Sequence, residues 1–292
     1  MVTDVDSAWG GFTADILINL RDEFSPKTTI FLWGLYNDET VNLTRRDELS
    51  RIRSTVELTQ SSSLFIPIST PSLPVNFGFK FEKNSSWHVG AMQNIALESF
   101  SLLPTLSRSS YSMDYIADAL SGGSNRNIVS STIVAIEDSG IIDLTAPLFS
   151  SSKQTKSVHT FSKAGILRPP QSNNVGEDPQ KISRKSALSW DRYFQSAFLQ
   201  SDGTMERSLF ELKCNIPYPT PNSYPNMIKP EDHTYSSSAV TTTPKKVFSD
   251  MTRFVSKFVR GDTREQLKND TDELAREYEW SWESDEDSDY DY

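Results

Sequence analysis

The feature that most restricts the fold of this chain is a repeated exchange between helical and extended hydrophobic periodicity over residues 12–136. Phe12, Ile16, Leu17, Leu20 and Phe24 recur at helical spacing, which predicts an amphipathic helix over 12–24 with its apolar face toward a core. A Pro-containing turn leads into an apolar strand over 28–35. Residues 44–60 then place Leu49, Ile52, Val56 and Leu58 on one side of a second helix, and Leu64 to Ile68 reads as a short buried strand. Pro71 and Pro74 end regular structure there. Phe77, Phe79 and Phe81 alternate with small or polar residues, as in an edge strand or an ordered loop. Helices over 87–103 and 112–121 and a strand over 127–136 complete the block, with Gly122-Gly123 marking the last transition. Segments alternating in this way bury their apolar faces by stacking helices on a sheet, so the class is α/β.

The first helix is preceded by Asp6-Ser7-Ala8-Trp9-Gly10-Gly11-Phe12-Thr13. Glycine ahead of a helix lets the backbone approach a ligand closely, and a helix N-terminus favours an anion such as phosphate. Spacing alone favours a simple turn. There is no Gly-x-x-x-x-Gly-Lys-Ser/Thr loop and no Gly-x-Gly-x-x-Gly run anywhere in the chain.

Taken in order, these segments resemble a tubulin-related family. Tubulin carries a Gly-Gly-Gly-Thr-Gly-Ser-Gly run before a helix and then a strand. Laid over it, Asp6, Ser7, Ala8 and Trp9 stand where tubulin has Gly, Gly, Thr and Gly, Gly10 stands where it has Ser, and only Gly11 matches directly. That degenerate loop, with an aromatic residue inside it, resembles the Misato family of proteins linked to mitochondrial inheritance and morphology. Ser61 to Ser69 resembles the short buried strand after the next helix, and His88 to Phe100 resembles the long central helix. Ser112 to Leu120, followed by Ile128-Val129, resembles the family segment beyond it. The resemblance covers about residues 5–140 well and the C-terminal helices loosely.

The resemblance implies an α/β, tubulin/FtsZ-like fold that is incomplete at its N-terminus, since in the family the glycine loop follows several strand–helix units. Trp9, Gly10, Gly11, Phe12 and Thr13 would be what remains of the nucleotide-facing loop. Tubulin also has an acidic residue after its central helix that helps hydrolyse a neighbour's GTP. Here Tyr111 to Asp118 lacks the accompanying Asn pattern, and Asp114 and Asp118 form an i, i+4 pair suited to a solvated helix face. GTP hydrolysis is therefore not expected, no cofactor is assigned, and GTP belongs only to a longer form. The implied role is non-enzymatic, in partitioning mitochondria and mitochondrial DNA, at the cytosol-facing mitochondrial surface and in the cytoplasm. Its partners would be proteins, cytoskeletal or on the mitochondrial surface. The rival reading is a GTP-binding or GTP-hydrolysing protein that needs the preceding units.

Charge narrows the partners further. The chain has 292 residues and a formal charge of −10, which argues against direct contact with nucleic acid. Eight of the last sixteen residues are acidic and none is basic, so the rest is close to neutral and free to carry basic patches. Cys214 is the single cysteine, which excludes an intramolecular disulfide; it reads as a small buried hydrophobe. His88, His159 and His233 lack partners at metal-ligand spacing, so no metal is expected. The N-terminus is acidic and has no apolar leader, and no apolar stretch approaches the roughly 20 residues needed to span a bilayer.

Composition divides the chain into a tubulin-like core portion over 1–149, a linker or long surface loop over 150–185, a mixed C-terminal segment with packed helices over 186–278, and an acidic disordered tail over 279–292. Residues 187–199 predict a short helix. Four prolines between Ile216 and Pro225 exclude helix, leaving an extended segment packed on the domain ahead of a polyproline ligand. Over 244–260, Val247, Met251, Phe254, Val255, Phe258 and Val259 form an apolar stripe interleaved with Lys245, Lys246, Arg253, Lys257 and Arg260. Core packing is the leading role for that helix, with peripheral membrane contact as its rival. A more polar helix follows over 263–278. In the tail, Trp280 and Trp282 with Glu283, Asp285, Glu286 and Asp287 are candidates for docking to a basic partner surface, against a plain solubilising role.

Overall fold

A computed structural model describes residues 1–24, 27–37, 43–72, 81–106, 111–136, 140–150, 158–171, 209–226, 228–229, 232–261 and 263–280. The expected helix at 187–199, Phe77, Phe79, and the tail from 281 onward lie outside these residues.

The alternating block keeps the order of helices and strands that its periodicity predicts, but a strand precedes the first helix, and the strand expected to stop before Pro71 runs through it to Ser72. Strand β1 (Val2–Asp4) leads to helix α1 (Ala8–Phe24), strand β2 (Phe31–Leu35), helix α2 (Arg45–Ser61) and strand β3 (Leu64–Ser72). Helix α2 starts at Thr44 because a capping box fixes it there: Thr44 Oγ1 accepts from the Asp47 N–H while an Asp47 carboxylate oxygen accepts from the Thr44 N–H. Helix α3 (Ser86–Leu102) is capped by Ser85, and α4 (Met113–Ser121) by Ser112. Gly122 ends α4 with φ 63°, a left-handed conformation that side chains resist. Asp114 and Asp118 are exposed on α4, as their spacing suggested.

The second half supplies more strand than the sequence suggests. Strands β4 (Ser131–Ile136), β5 (Gly140–Thr145), β6 (Thr160–Arg168), β7 (Leu209–Lys213) and β8 (Thr234–Thr241) join the first three in one eight-stranded sheet, ordered β1-β2-β3-β5-β4-β8-β6-β7. β1, β2 and β3 are parallel; β3 to β6 are linked through antiparallel pairs, and β7 runs parallel to β6. Within the stretch 150–185, expected to be linker or loop, residues 160–168 are strand instead, while 151–157 and 172–185 lie outside the described residues. Thr160–Arg168 pairs along its length with β8 and buries Ala164 and Ile166. β8 reads Thr-Tyr-Ser-Ser-Ser-Ala-Val-Thr yet is buried throughout: Ser236 donates to the Ile95 carbonyl of α3 and Thr241 to the Thr243 hydroxyl, while the hydroxyls of Thr234 and Ser238 have no hydrogen-bond partner among the described residues. Ser162 of β6 donates to the Leu120 carbonyl of α4. Ile166 pairs with Ser236 and Val240 with Ser162, so these residues share one side of the sheet and α3 and α4 cover that side.

Helices α5 (Thr243–Phe258) and α6 (Thr263–Glu277) pack on each other and reach α2. Val247, Phe248, Met251 and Val255 of α5 are buried, so most of the apolar stripe that a lipid surface would need is spent on the protein's own core. The Pro-rich segment also packs inward. Tyr218 receives a hydrogen bond from the Asn94 side chain, and Tyr224 donates to the Ala91 carbonyl, which ties 216–224 to α3. Arg168, fully buried, pairs with Glu98 and donates to the carbonyls of Ile216 and Pro217. Cys214 is buried beside this segment. Among the described residues, no helix is long and apolar enough to cross a membrane.

Candidate functional site

In an open α/β sheet, ligands sit beyond the carboxyl ends of the parallel strands, against helix N-termini. Here that place is built from the β1–α1 connection, the end of β2 at Tyr36 and Asn37, and the outer turn of α2. Ser7 is the first residue outside α1. Its hydroxyl donates to the Asp4 carbonyl and accepts from the Trp9 N–H, while its carbonyl accepts from the Gly10 N–H. The helix therefore begins four residues earlier than the apolar periodicity indicates, because glycines carry no hydrophobic signal.

That earlier start changes the role of the glycine pair. Gly10 and Gly11 lie within α1, and neither is a loop residue. A Cβ on Gly10 would stand 2.7 Å from the Val5 carbonyl oxygen and 2.9 Å from the Ser54 hydroxyl of α2. Gly10 is the residue that lets α1 approach α2 and its own connection from β1. A Cβ on Gly11 would meet nothing within 4 Å. Thr13 is buried and donates to the Thr3 hydroxyl at 2.9 Å; the Thr3 hydroxyl in turn donates to the Trp9 carbonyl. Trp9 and Phe12 project outward, 63% and 54% exposed, and meet edge to face at 5.7 Å between ring centres. The buried side of α1 is formed by Gly10, Thr13, Ala14 and Leu17, so the expectation that Phe12 and Phe24 face the core is corrected. The small residues win that side because α2 lies too close for aromatic rings.

The charged centre of the place is Asp6. Its carboxylate is gripped by the Arg51 guanidinium of α2 through both oxygens, with 2.6 Å for the Nη2 contact, and one oxygen also accepts the Asn37 N–H at 2.7 Å. The Asp6 side chain is only 3% exposed. Asp4, half-buried in the same connection, accepts the Asp6 N–H. Tyr36 lies beneath Arg51, its ring centre 5.8 Å from the guanidinium carbon, and its hydroxyl is 2.8 Å from that of Thr55. Burial pushes the Tyr36 hydroxyl pKa well above its ordinary value, so it stays a neutral hydrogen-bonding group. The cation and backbone donor nearest the loop are thus already committed to a carboxylate of this chain. A phosphate arriving here would have to displace Asp6 and sit beside Asp4.

Sequence reasoning found Asp6 only as a departure from glycine and did not find Arg51, Asn37 or Tyr36. Nothing local announces them, since Arg51 stands 45 positions from Asp6 and its partner is fixed only when α2 docks on α1.

The second candidate set divides at residue 280. Trp282, Glu283, Asp285, Glu286 and Asp287 lie outside the described residues. Trp280 and Glu279, within the stretch expected to be a disordered tail, are packed on the protein: Trp280 stacks on His159 at 3.7 Å and 13° between rings and meets Phe161 edge-on at 5.8 Å. Tyr278 is fully buried, and its hydroxyl accepts the Ile128 N–H at 2.8 Å. Lys245 pairs with Glu279 at 3.0 Å. Residues 278–280 therefore rest on the body of the protein, with one face of Trp280 stacked on His159 and 42% of the residue still exposed.

With that geometry in place, comparison with known proteins adds three relatives and one domain. A tubulin domain family model, Tubulin_3, matches residues 1–106. The chain is 31% identical over 298 aligned residues to Protein DML1 of Yarrowia lipolytica, covering 98% of this chain and 56% of that protein. It is 27% identical to Protein DML1 of Kluyveromyces lactis, covering 96% of this chain and 53% of the relative. The match to Protein DML1 of Gibberella zeae is 32% identical over 136 residues, 44% of this chain and 27% of that protein. The chain spans about half the length of the relatives that match it nearly end to end.

Proposed function

We propose, from the premise that the chain belongs to the Misato/DML1 family of tubulin-related proteins, that it is a non-enzymatic member acting in the partitioning of mitochondria and mitochondrial DNA. The observation that carries the non-enzymatic part is the Asp6–Arg51 pair closed by the Asn37 N–H. In a phosphate-binding loop, backbone donors and a cation point at empty space for the ligand. Here they point at a buried carboxylate, and the glycine that should free the backbone is instead a packing residue against Val5 and Ser54.

In this reading the protein works through its surfaces, by assembly with protein partners, at the cytosol-facing side of mitochondria and in the cytoplasm. The mitochondrial role comes from the family resemblance and not from any residue of the site. Net charge agrees with it only in one respect: at −10 the chain is ill suited to grasp DNA directly, so an effect on mitochondrial DNA would run through organelle shape or a cytoskeletal partner.

Titration with fluorescently labelled GTP tests the first part. No saturation is expected in the micromolar range, and saturable micromolar binding by this chain would overturn the non-enzymatic reading in favour of a nucleotide-dependent one. Deleting the gene and following mitochondrial DNA through successive divisions tests the second. Loss or uneven transmission is expected, and unaltered transmission with normal mitochondrial shape would refute it.

A further inference from the structure

On β8, Thr234, Ser236 and Ser238 lie on the side of the sheet that α3 and α4 cover. Ser236 is served there by the Ile95 carbonyl, whereas the Ser238 hydroxyl has no hydrogen-bond partner among the described residues. The register sets Thr132 of β4 directly opposite Ser238, and the Thr132 hydroxyl is without a partner in the same way. Thr132 and Ser238 are 0% and 1% exposed, so bulk solvent reaches neither. Helix α3, which packs on both strands, carries a third such group on its buried side, the hydroxyl of Ser99. Burying a hydroxyl without a partner costs free energy, and two of them side by side call for a shared partner. Opposite side chains on neighbouring antiparallel strands have Cβ atoms about 4.5–5.5 Å apart, so hydroxyls there that do not bond each other stand within the span of one bridging water. Room for it comes from the row itself. Ser238 is flanked by Thr132 on β4 and by Ala164 on β6, all small, whereas the next row along the strands, Val134, Ser236 and Ile166, is bulkier.

We infer that an ordered water molecule is bound in the interior, between α3 and the sheet, bridging the hydroxyls of Thr132 and Ser238 as a fixed part of the fold. Water fits this lining and a metal ion does not. Each hydroxyl is neutral and can both donate and accept, which suits a ligand that does the same. Among the described residues no group of His, Cys, Asp or Glu is arranged to hold a metal ion. A buried water makes about two to four hydrogen bonds; Thr132 and Ser238 supply two, and Ser99, on the covering helix, is available for a third. The water does for Ser238 what the Ile95 carbonyl does for Ser236, and so lets a run of three serines pass through the core of the sheet.

The sign of a stability change tests this. Thr132→Val and Ser238→Ala each remove one hydroxyl with little change of shape. If the hydroxyls are dry, removing either one relieves a buried polar group, and the thermal midpoint rises. If they share a water, each removal strips it of a partner, and the midpoint falls. The double variant should then lose less than the sum of the two, because the second removal acts on a water already displaced. Lower midpoints for both single variants and a sub-additive double variant are expected, with cooperative melting and an unchanged far-ultraviolet spectrum showing that all three are folded. A crystal structure of the parent gives the second readout, a water oxygen within about 3.2 Å of both hydroxyl oxygens. A raised midpoint in either single variant, strict additivity in the double, or a crystal structure with no water touching both hydroxyls overturns the inference.

Discussion

Replacing Gly10 and Gly11 separately by alanine tests the packing account of the glycine pair against a loop account. Both residues lie in the N-terminal half of α1, one position apart, and in a helix the exchange of glycine for alanine is worth up to about 1 kcal/mol of added stability. At Gly11 nothing opposes that gain, since no atom lies within 4 Å of the new methyl. Gly11→Ala should therefore stabilise by about 0.5–1 kcal/mol. At Gly10 the methyl would stand 2.7 Å from a backbone carbonyl and 3.0 Å from the Ser54 Cβ, and neither can rotate away. The helix must withdraw from α2 or the connection from β1 must shift. Overpacking of this kind costs about 1–3 kcal/mol, so after the helix gain the net change is a loss of up to about 2.5 kcal/mol. In urea unfolding followed by circular dichroism the two variants should move the midpoint in opposite directions with an unchanged slope. In thermal scans the gap should be several degrees. If both variants stabilise alike, Gly10 is not in close contact with α2, and the case against a ligand-facing glycine loop loses its structural basis.

Three further outcomes follow from the same structure. Asp6→Ala strips Arg51 of its partner while the guanidinium stays largely buried, and should cost about 3 kcal/mol in equilibrium unfolding without creating GTP affinity. Tyr278→Phe leaves the Ile128 N–H without its acceptor and should cost about 1–3 kcal/mol, with amide exchange at Ile128 accelerated more than elsewhere in the sheet. Lys163 has its pKa lowered to about 8 by burial, from 10.5. Below about pH 8 the folded state bears the full cost of holding that charge. Between about 8 and 10.5 the unfolded chain binds the extra proton, so stability should rise with pH across that window. Lys163→Met should raise the melting temperature at pH 7 and flatten that rise; an unchanged slope would contradict the assignment.

Most helices were legible because their signals are local. The apolar periodicity of 44–60, 87–103, 112–121, 244–260 and 263–278 falls within one or two residues of the observed helices, and the serine and threonine caps sharpen three of them. The tubulin-like order of the first half was legible for the same reason. β6 and β8 were not, because Ser-Lys-Ala-Gly and Ser-Ser-Ser carry no hydrophobic alternation; the buried hydroxyls of Ser162 and Ser236 find their partners on α4 and α3, distant in sequence. β7 is short and joins only through pairing with β6, which lies more than forty residues earlier, and this leaves little local trace. The site shows the same division. Its loop could be placed by the glycine pair, but its chemistry depends on the meeting of Asp6 with Arg51, a contact made only by packing α1 on α2.

The position of β8 governs how this protein comes to be folded at all. β8 lies between β4 and β6, although nearly a hundred residues separate it from the first and more than sixty from the second. Until residues 234–241 leave the ribosome, β4 and β6 each keep an unpaired edge that only β8 can fill, and the sheet exists as two separate parts. Closing such non-local pairs late makes folding slow and leaves sticky edges open for seconds during synthesis. Any truncation upstream of residue 234 should therefore yield chains that aggregate and bind chaperones, even though the entire tubulin-like first half is present.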